Sequence, residues 1–414
     1  MVLPVLLWYY WEMNEKIEEG YMSRFKKMDN LLEEFAQKSV PGCACTIMQN
    51  NEIVYEGYAG YADIEAKEQI NARSMFRQAS TTKLFTYAII GMLYEEGKFL
   101  LSDPISEYLP EWKNVTKYKT LPNNELEIVP LENPITIKDV VTMACGLPYC
   151  MFPDLNSSQP VVVAMSKALL SISGDRRPTL REEVRAMAQV PVLFEPGTRW
   201  LYGFGSEITG AIVSEITGKP LRTVFKERII DPLGLKDTDT YIRDENRSQV
   251  VKNYSKNEDG SLIKMSADTD ADYDSNITPM GARPNLLSSS NDFAVFMQML
   301  SNGGSYKGEK LLSRGTVDLL RTNYLNEVQL RDFNHNNPYL AGYGYGLGFR
   351  TLMDKAAANH NGSIGAFGWT GGSGIWVEAD PKENTSIVYM HNMRPNEELY
   401  HHLRVRAVAY GCLN

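Results

Sequence analysis

Apolar and polar residues repeat along this chain with two different periods, and the period that holds in each stretch predicts its element. Residues 28–38 (MDNLLEEFAQK) repeat apolar positions at helical spacing and end before Pro41-Gly42. Two strand-like runs follow, CACTIM (43–48) and EIVYEGYAG (52–60), around an Asn50-Asn51 turn of the kind that closes hairpins. The apolar run 81–96 is long enough for a helix, and Gly97 is its stop. From about residue 100 to 335 the character changes. Loops lengthen, most of the prolines lie here, and the periodic stretches 137–144, 180–189, 205–217, 291–301 and 314–322 are helical. Residues 255–280 are polar and acidic and predict a surface excursion. Strand patterns return at 344–350, 374–379 and 385–392, the last two joined by DPKEN, before a helix over 396–410.

Strands at both ends around a helical middle predict an α/β or α+β fold with a discontinuous sheet domain, residues 28–100 and 336–414. Residues 101–335 are expected as a mainly helical inserted domain, with the site between the two, and residues 1–27 as an N-terminal extension.

Composition narrows the function classes. Net charge is −9 with no block of like charge, which excludes the basic face that a nucleic-acid partner needs. The first dozen residues are apolar, yet no Lys or Arg precedes them and no small-residue cleavage site follows, so they make a poor signal peptide. They are too short to span a bilayer, no other stretch comes closer, and Met22 or Met28 are alternative starts. Five cysteines lack zinc-like spacing; Cys43 and Cys45 would share one face of a strand as small core residues. Free thiols suit a reducing compartment, and a cytoplasmic location is expected. The five histidines form no H-E-x-x-H, and His401-His402 in the terminal helix read as packed or solvated. No G-x-S-x-G is present, and the glycine-rich runs NGGSYKG and GYGYGLG lack the order of a phosphate loop. Neither a metal nor a cofactor is expected.

One short pattern carries chemistry. Ser80 stands three residues ahead of Lys83 at the start of the apolar run 81–96. The bland reading is a helix cap, since serine there accepts a hydrogen bond from an orphan N–H. S-x-x-K occurs three times, but Ser261/Lys264 has no apolar helix behind it and Ser23/Lys26 lies in the leader. At Ser80 the lysine would sit one turn on, on the same face. Burial there would lower the ammonium's pKa and let it take the hydroxyl proton, while the Ser80 N–H at the helix start could meet an oxyanion.

The rest of the chain decides between them. From Met28 to the C-terminus it resembles the serine β-lactamase and penicillin-binding-protein superfamily, in particular its class C-like branch. That branch includes class C β-lactamases, D-amino-acid-specific peptidases, family VIII carboxylesterases and lovastatin-type acyltransferases. VPGCACTIMQNNEIVYEGYAGYAD resembles the family's opening hairpin and FRQASTTKLFT its nucleophile segment. DPISEYLPEW and ITIKDVVTMACGLPY resemble the two segments after it. FEPGTRWLYGFGSEITGAIVSEITGKPL is similar to the loop and helix of the second motif, and GAFGWTGGSGIWVEADP to the third. The resemblance implies a β-lactamase-like (transpeptidase-like) fold, an antiparallel sheet flanked by helices, with Ser80 as nucleophile and Lys83 and Tyr202 sharing the base work. It also implies an oxyanion hole from the N–H groups of Ser80 and Gly372, and a substrate edge made by Phe204, Trp369, Thr370 and Gly371.

Two departures bear on substrate. The Y-x-N of β-lactamases reads Tyr202-Gly203-Phe204 here, and their K-T-G or H-T-G reads Trp369-Thr370-Gly371. Both replace a polar contact with a ring, as in the esterase and acyltransferase members, although Arg350 or Arg394 could still bring a cation to a substrate carboxylate. Met143-Ala144-Cys145 replaces the usual H-T-S, with no role attached. The expectation is therefore a cofactor-free serine hydrolase acting through an acyl-enzyme, a carboxylesterase on a small neutral ester or amide. Alternatives are an acyltransferase with the same chemistry, a penicillin-binding protein, D-peptidase or weak β-lactamase, and a binding or sensing module that keeps the pocket. The oligomeric state is left open.

Overall fold

Both asparagines of the first turn are left-handed, with φ of +54° at Asn50 and +71° at Asn51, a conformation asparagine tolerates better than most residues. The turn folds β1 (Gly42–Gln49) onto β2 (Glu52–Asp63) with Gln49 opposite Glu52, the two-residue hairpin expected from Asn-Asn. This is a computed structural model, and it describes residues 24–150, 153–266, 273 and 285–413. The leader serine Ser23 and most of the excursion after residue 266 lie outside the described residues.

Six further strands complete one antiparallel sheet: β3 (Glu68–Gln69), β4 (Tyr343–Tyr345), β5 (Arg350–Leu352), β6 (Phe367–Gly371), β7 (Ile375–Asp380) and β8 (Thr385–His391). Their order is β4-β5-β6-β7-β8-β1-β2-β3. β1 therefore lies between its own hairpin partner and the C-terminal β8, with Cys43 opposite His391 and Gln49 opposite Thr385. The two ends of the chain share one sheet because neither set of strands can pair all its edges alone.

Strand alternation sorts the side chains into two cores. Ala44, Met48, Val377, Val388 and Met390 face the larger core, against α2 (Thr82–Glu95) and the helix Ser290–Ser301. Cys43 and Cys45 point the other way with Ile47, Trp376 and Tyr389, under α1 (residues 24–38) and the terminal helix Glu398–Cys412. The two cysteines are buried core residues, as their spacing implies. α2 is buried on nearly every side, from Leu84 through Leu93. A helix apolar all round belongs in the middle of a protein, and this one fixes the start of its own first turn.

Helices expected over 205–217, 291–301 and 314–322 form as Gly205–Thr217, Ser290–Ser301 and Arg314–Arg321. The single strand expected over 344–350 is instead two. Gly348 turns the chain with φ +87° hard against the Tyr87 ring, so β4 and β5 form a hairpin. The structure also holds strands the pattern did not announce, the hairpin Thr116–Thr120/Leu126–Pro130 and a three-strand patch of two residues each that joins Phe76–Arg77 to two strands of the middle. Two-residue strands are too short to show a period. Among the described residues no helix is long and apolar enough to cross a membrane.

Candidate active site

Ser80 does not cap a helix. It lies inside a single 3-10 turn, Ala79–Thr81, that leads directly into α2, and neither flanking cap position makes a side-chain cap bond. Its Oγ instead accepts a hydrogen bond from Lys83 Nζ at 3.3 Å. Ala79, just before it, is left-handed with φ +46°, a strained position for alanine costing about 1–3 kcal/mol. The strain is held by its neighbours. Gln78 is fully buried, its Nε2 donates to Phe76 O and Ser288 O, and its backbone N–H donates to Leu286 O. Thr81 Oγ1 donates back to Gln78 O at 2.8 Å, and Thr82 Oγ1 accepts from Leu286 N at 3.1 Å.

Tyr202 arrives on a loop that is tied down at every step. Glu195 pairs with Lys117 at 2.7 Å, Arg199 with Asp332 at 2.6 Å, and Leu201 N donates to Met143 O. Gly203 then passes so close to Leu147 that a Cβ would lie 1.9 Å from its carbonyl oxygen. Only glycine fits there. The segment Met143-Ala144-Cys145, without a role by sequence, is thus part of the bed for this loop. Tyr202 lies with its ring 5.5 Å from Lys83 Nζ, so Ser80, Lys83 and Tyr202 are brought together.

Strand β6 contributes Trp369. Its Nε1–H donates to Tyr202 Oη at 3.1 Å, and the two rings lie 5.4 Å apart. At 6% exposure Trp369 packs as a partner of the tyrosine, at a position where the resemblance implies a substrate edge. Gly371, opposite Ile375, passes Gln78 so closely that a Cβ would lie 2.5 Å from its carbonyl oxygen, which sets β6 against the Ser80 turn. Gly372 is exposed, with open space where a side chain would stand. Thr370 pairs with Trp376 and therefore points to the opposite sheet face from Trp369.

Two expectations are corrected by burial. Phe204 is fully buried and packs edge-on against Tyr149 at 4.9 Å, so it backs the site and does not face a substrate. Arg350 is also buried, on the Trp376 face, 3.9 Å from Glu378 and between the rings of Tyr343 and Trp376. It is held on the sheet face opposite to that of Trp369. Arg394 is exposed at the surface. Ser261 donates to Asp259 at 2.6 Å while Lys264 pairs with Asp63, so that S-x-x-K is no pair.

The electrostatics correct a third. Burial pulls the Lys83 ammonium down, but the Tyr149 and Tyr202 phenols and the Glu207 carboxylate together hold its pKa above the ordinary lysine value. The lysine rests as a cation. Tyr149, which sequence reasoning passed over, has its ring 5.3 Å from Lys83 Nζ, and burial followed by Glu207 pushes its phenol up. Tyr149 ends the quoted GLPY segment, but as one of 23 tyrosines it carried no signal of its own. A small cavity of about 40 Å³ borders Ala79, Lys83, Thr86, Ser206 and Glu207. Among the described residues no cluster of His, Cys, Asp and Glu could hold a metal ion.

A serine that follows a strained alanine and accepts from a half-buried ammonium, beside a phenol that accepts an indole N–H, opens the central helix of this α+β sheet protein. The family model of Beta-lactamase matches residues 27–410, and the chain belongs to that family as a serine hydrolase. It is 29% identical over 355 residues to Protein Rv1367c of Mycobacterium tuberculosis (strain ATCC 25618 / H37Rv), which covers 84% of this chain and 85% of that one. The solved structure of EstCE1, a hydrolase with promiscuous acyltransferase activity, is similar with TM-score 0.77 and 22% identity, over 94% of this chain and 99% of that one. Unliganded simvastatin synthase (LovD) from Aspergillus terreus, a selenomethionyl derivative, is similar with TM-score 0.75 and 18% identity, over 94% and 97%.

Proposed function

We propose that the protein is a carboxylesterase that acts on neutral esters through an acyl-enzyme on Ser80. The observation that carries this reading is Trp369, whose indole N–H is given to Tyr202 at the position where the family's β-lactamases and peptidases present a cation to a substrate carboxylate. In acylation the Lys83–Tyr202 pair holds one proton fewer than it can carry, with the Tyr202 oxygen ionised between the Lys83 ammonium and the Trp369 N–H. As Ser80 Oγ bonds to the ester carbonyl carbon, its proton passes to that oxygen. The C–O bond to the alcohol then breaks, and the leaving oxygen takes that proton. Water repeats the sequence on the acyl-enzyme and releases the acid. The N–H groups of Ser80 and Gly372 receive the oxyanion, the first at the positive end of α2.

Similarity to EstCE1 and to simvastatin synthase supports acyl transfer to an alcohol as a second outcome of the same acyl-enzyme. The test is a series of p-nitrophenyl esters beside nitrocefin and a fluorescent penicillin, with and without an alcohol acceptor. Turnover of neutral esters with slow or no β-lactam turnover is expected, and a transesterification product that grows with alcohol concentration would establish transfer. Efficient nitrocefin hydrolysis with no activity on any neutral ester would overturn the reading.

A further inference from the structure

Glu207 lies in the first turn of the helix Gly205–Thr217 and is 7% exposed. A carboxylate in a first turn usually serves the helix dipole from the surface, at little cost. This one is taken out of water, which costs several kcal/mol unless partners meet it. The partners are present and specific. Ser206 Oγ donates to Oε2 at 2.7 Å, and the Tyr149 hydroxyl stands 3.4 Å from both carboxylate oxygens. The ring of the same Tyr149 lies 5.3 Å from the Lys83 ammonium.

We propose that Glu207 is a positioning residue for the Ser80 chemistry: by accepting the Tyr149 proton donor it turns that phenol's lone pairs toward Lys83 and fixes the ammonium between Ser80 and Tyr202. The order of donors follows from what each group can do. An ammonium has donors only and a carboxylate acceptors only, so a phenol between them must donate to Glu207 and accept from Lys83. No proton moves along this relay. Phe204, packed against Tyr149, and Tyr202, 5.5 Å away ring to ring, leave the phenol little room to turn elsewhere. The groups that face Lys83 are Tyr149, Tyr202 and Glu207, with the Tyr345 phenol behind them. Of these, Glu207 is the carboxylate, and its charge holds the proton on Lys83. The inference rests on Ser80 being the nucleophile.

A fluorophosphonate probe tests it, because phosphonylation of Ser80 with loss of fluoride reads proton removal without any substrate contact to Glu207. The second-order labelling rate is measured from pH 5 to 10 for the wild type, Glu207→Gln, Glu207→Asp, Tyr149→Phe and the double variant Glu207→Gln/Tyr149→Phe, with thermal melts as the folding control. Glu207→Gln is expected to slow labelling by about 10- to 100-fold and to move the rising limb toward lower pH by about one unit, since the pair loses a negative neighbour. Glu207→Asp should restore part of the rate, and the double variant should be no slower than Tyr149→Phe. A wild-type rate and limb in Glu207→Gln would overturn the proposal, and so would multiplicative losses in the double variant, which place Glu207 outside the Tyr149 relay. If Glu207→Gln unfolds, Tyr149→Phe carries the test through the labelling rate, which should fall by a similar factor, and a wild-type rate there overturns it. Failure of the wild type to label at Ser80 is a separate result that removes the nucleophile itself.

Discussion

Replacing Trp369 by phenylalanine isolates the contribution of one N–H to the reaction. Phenylalanine keeps an aromatic face against Tyr202 and Tyr345, whose rings lie 5.4 and 5.2 Å from the indole, and removes the donor that meets Tyr202 Oη at 3.1 Å. While the proton of Ser80 is in transit, the tyrosine oxygen carries or shares negative charge. A hydrogen bond to such an oxygen is worth about 1.5–3 kcal/mol, and each 1.36 kcal/mol is tenfold in rate. The expected loss in kcat is therefore about 10- to 150-fold. KM should change little, because the N–H touches the tyrosine and not the substrate. The smaller ring also leaves space at a position only 6% exposed, so a stability cost of about 1–2 kcal/mol is expected and is read separately by thermal melting. Steady-state hydrolysis of p-nitrophenyl butyrate, with the fluorophosphonate labelling rate beside it, measures the effect. A folded Trp369→Phe enzyme with kcat within twofold of wild type would refute the role given to the indole N–H.

Other outcomes follow from the same geometry. Trp369→Lys should lose ester activity and gain acylation by a carboxylate-bearing β-lactam, measured with a fluorescent penicillin; a loss of both, or a gain of neither, contradicts the substrate argument. Ser80→Ala should abolish the single phosphonate adduct seen by intact-mass spectrometry, and an adduct that persists or maps to Ser261 ends the acyl-enzyme reading. Tyr202→Phe should fold and lose about 10²-fold or more in turnover, with the remaining rate no longer rising through the coupled Lys83–Tyr202 titration; wild-type turnover would assign the base elsewhere. Acid should destabilise the fold through the histidines on and under the terminal helix, where burial is the largest effect and pulls His401 down to about 4 and His402 to about 3 and carries His391 well below its usual value. The unfolded chain takes up protons below pH 6.5 that the folded one refuses, so stability is present above that pH and is lost as pH falls toward 4, by about 2 kcal/mol at pH 5 for each of His401 and His402. Urea melts at pH 7.5 and 5.0 check this, and a His401→Gln variant with an unchanged pH slope would contradict it.

Local pattern was enough for what depends on a few consecutive residues. The Asn50-Asn51 hairpin, the apolar helix α2 and the helices Gly205–Thr217 and Ser290–Ser301 are legible because burial repeats with the period of the backbone over ten or so positions. The juxtaposition of Ser80, Lys83 and Tyr202 was legible through collinear motifs, and the S-x-x-K spacing alone could not separate Ser80 from Ser261. Partners and solvent access are another matter, since they are set by residues from separate segments of the chain. Trp369 donates to Tyr202 from 167 residues away, and no property of either residue announces it. Phe204 and Arg350 occupy positions that the motifs aim at substrate, yet packing against Tyr149 and pairing with Glu378 bury both. The Lys83 charge was misjudged for the same reason: desolvation follows from an apolar helix, while the phenols and the carboxylate that outweigh it come from the Tyr149 and Tyr202 loops and the helix start at Glu207. A sequence determines which residues leave water, but which of them meet there is decided only when distant segments pack.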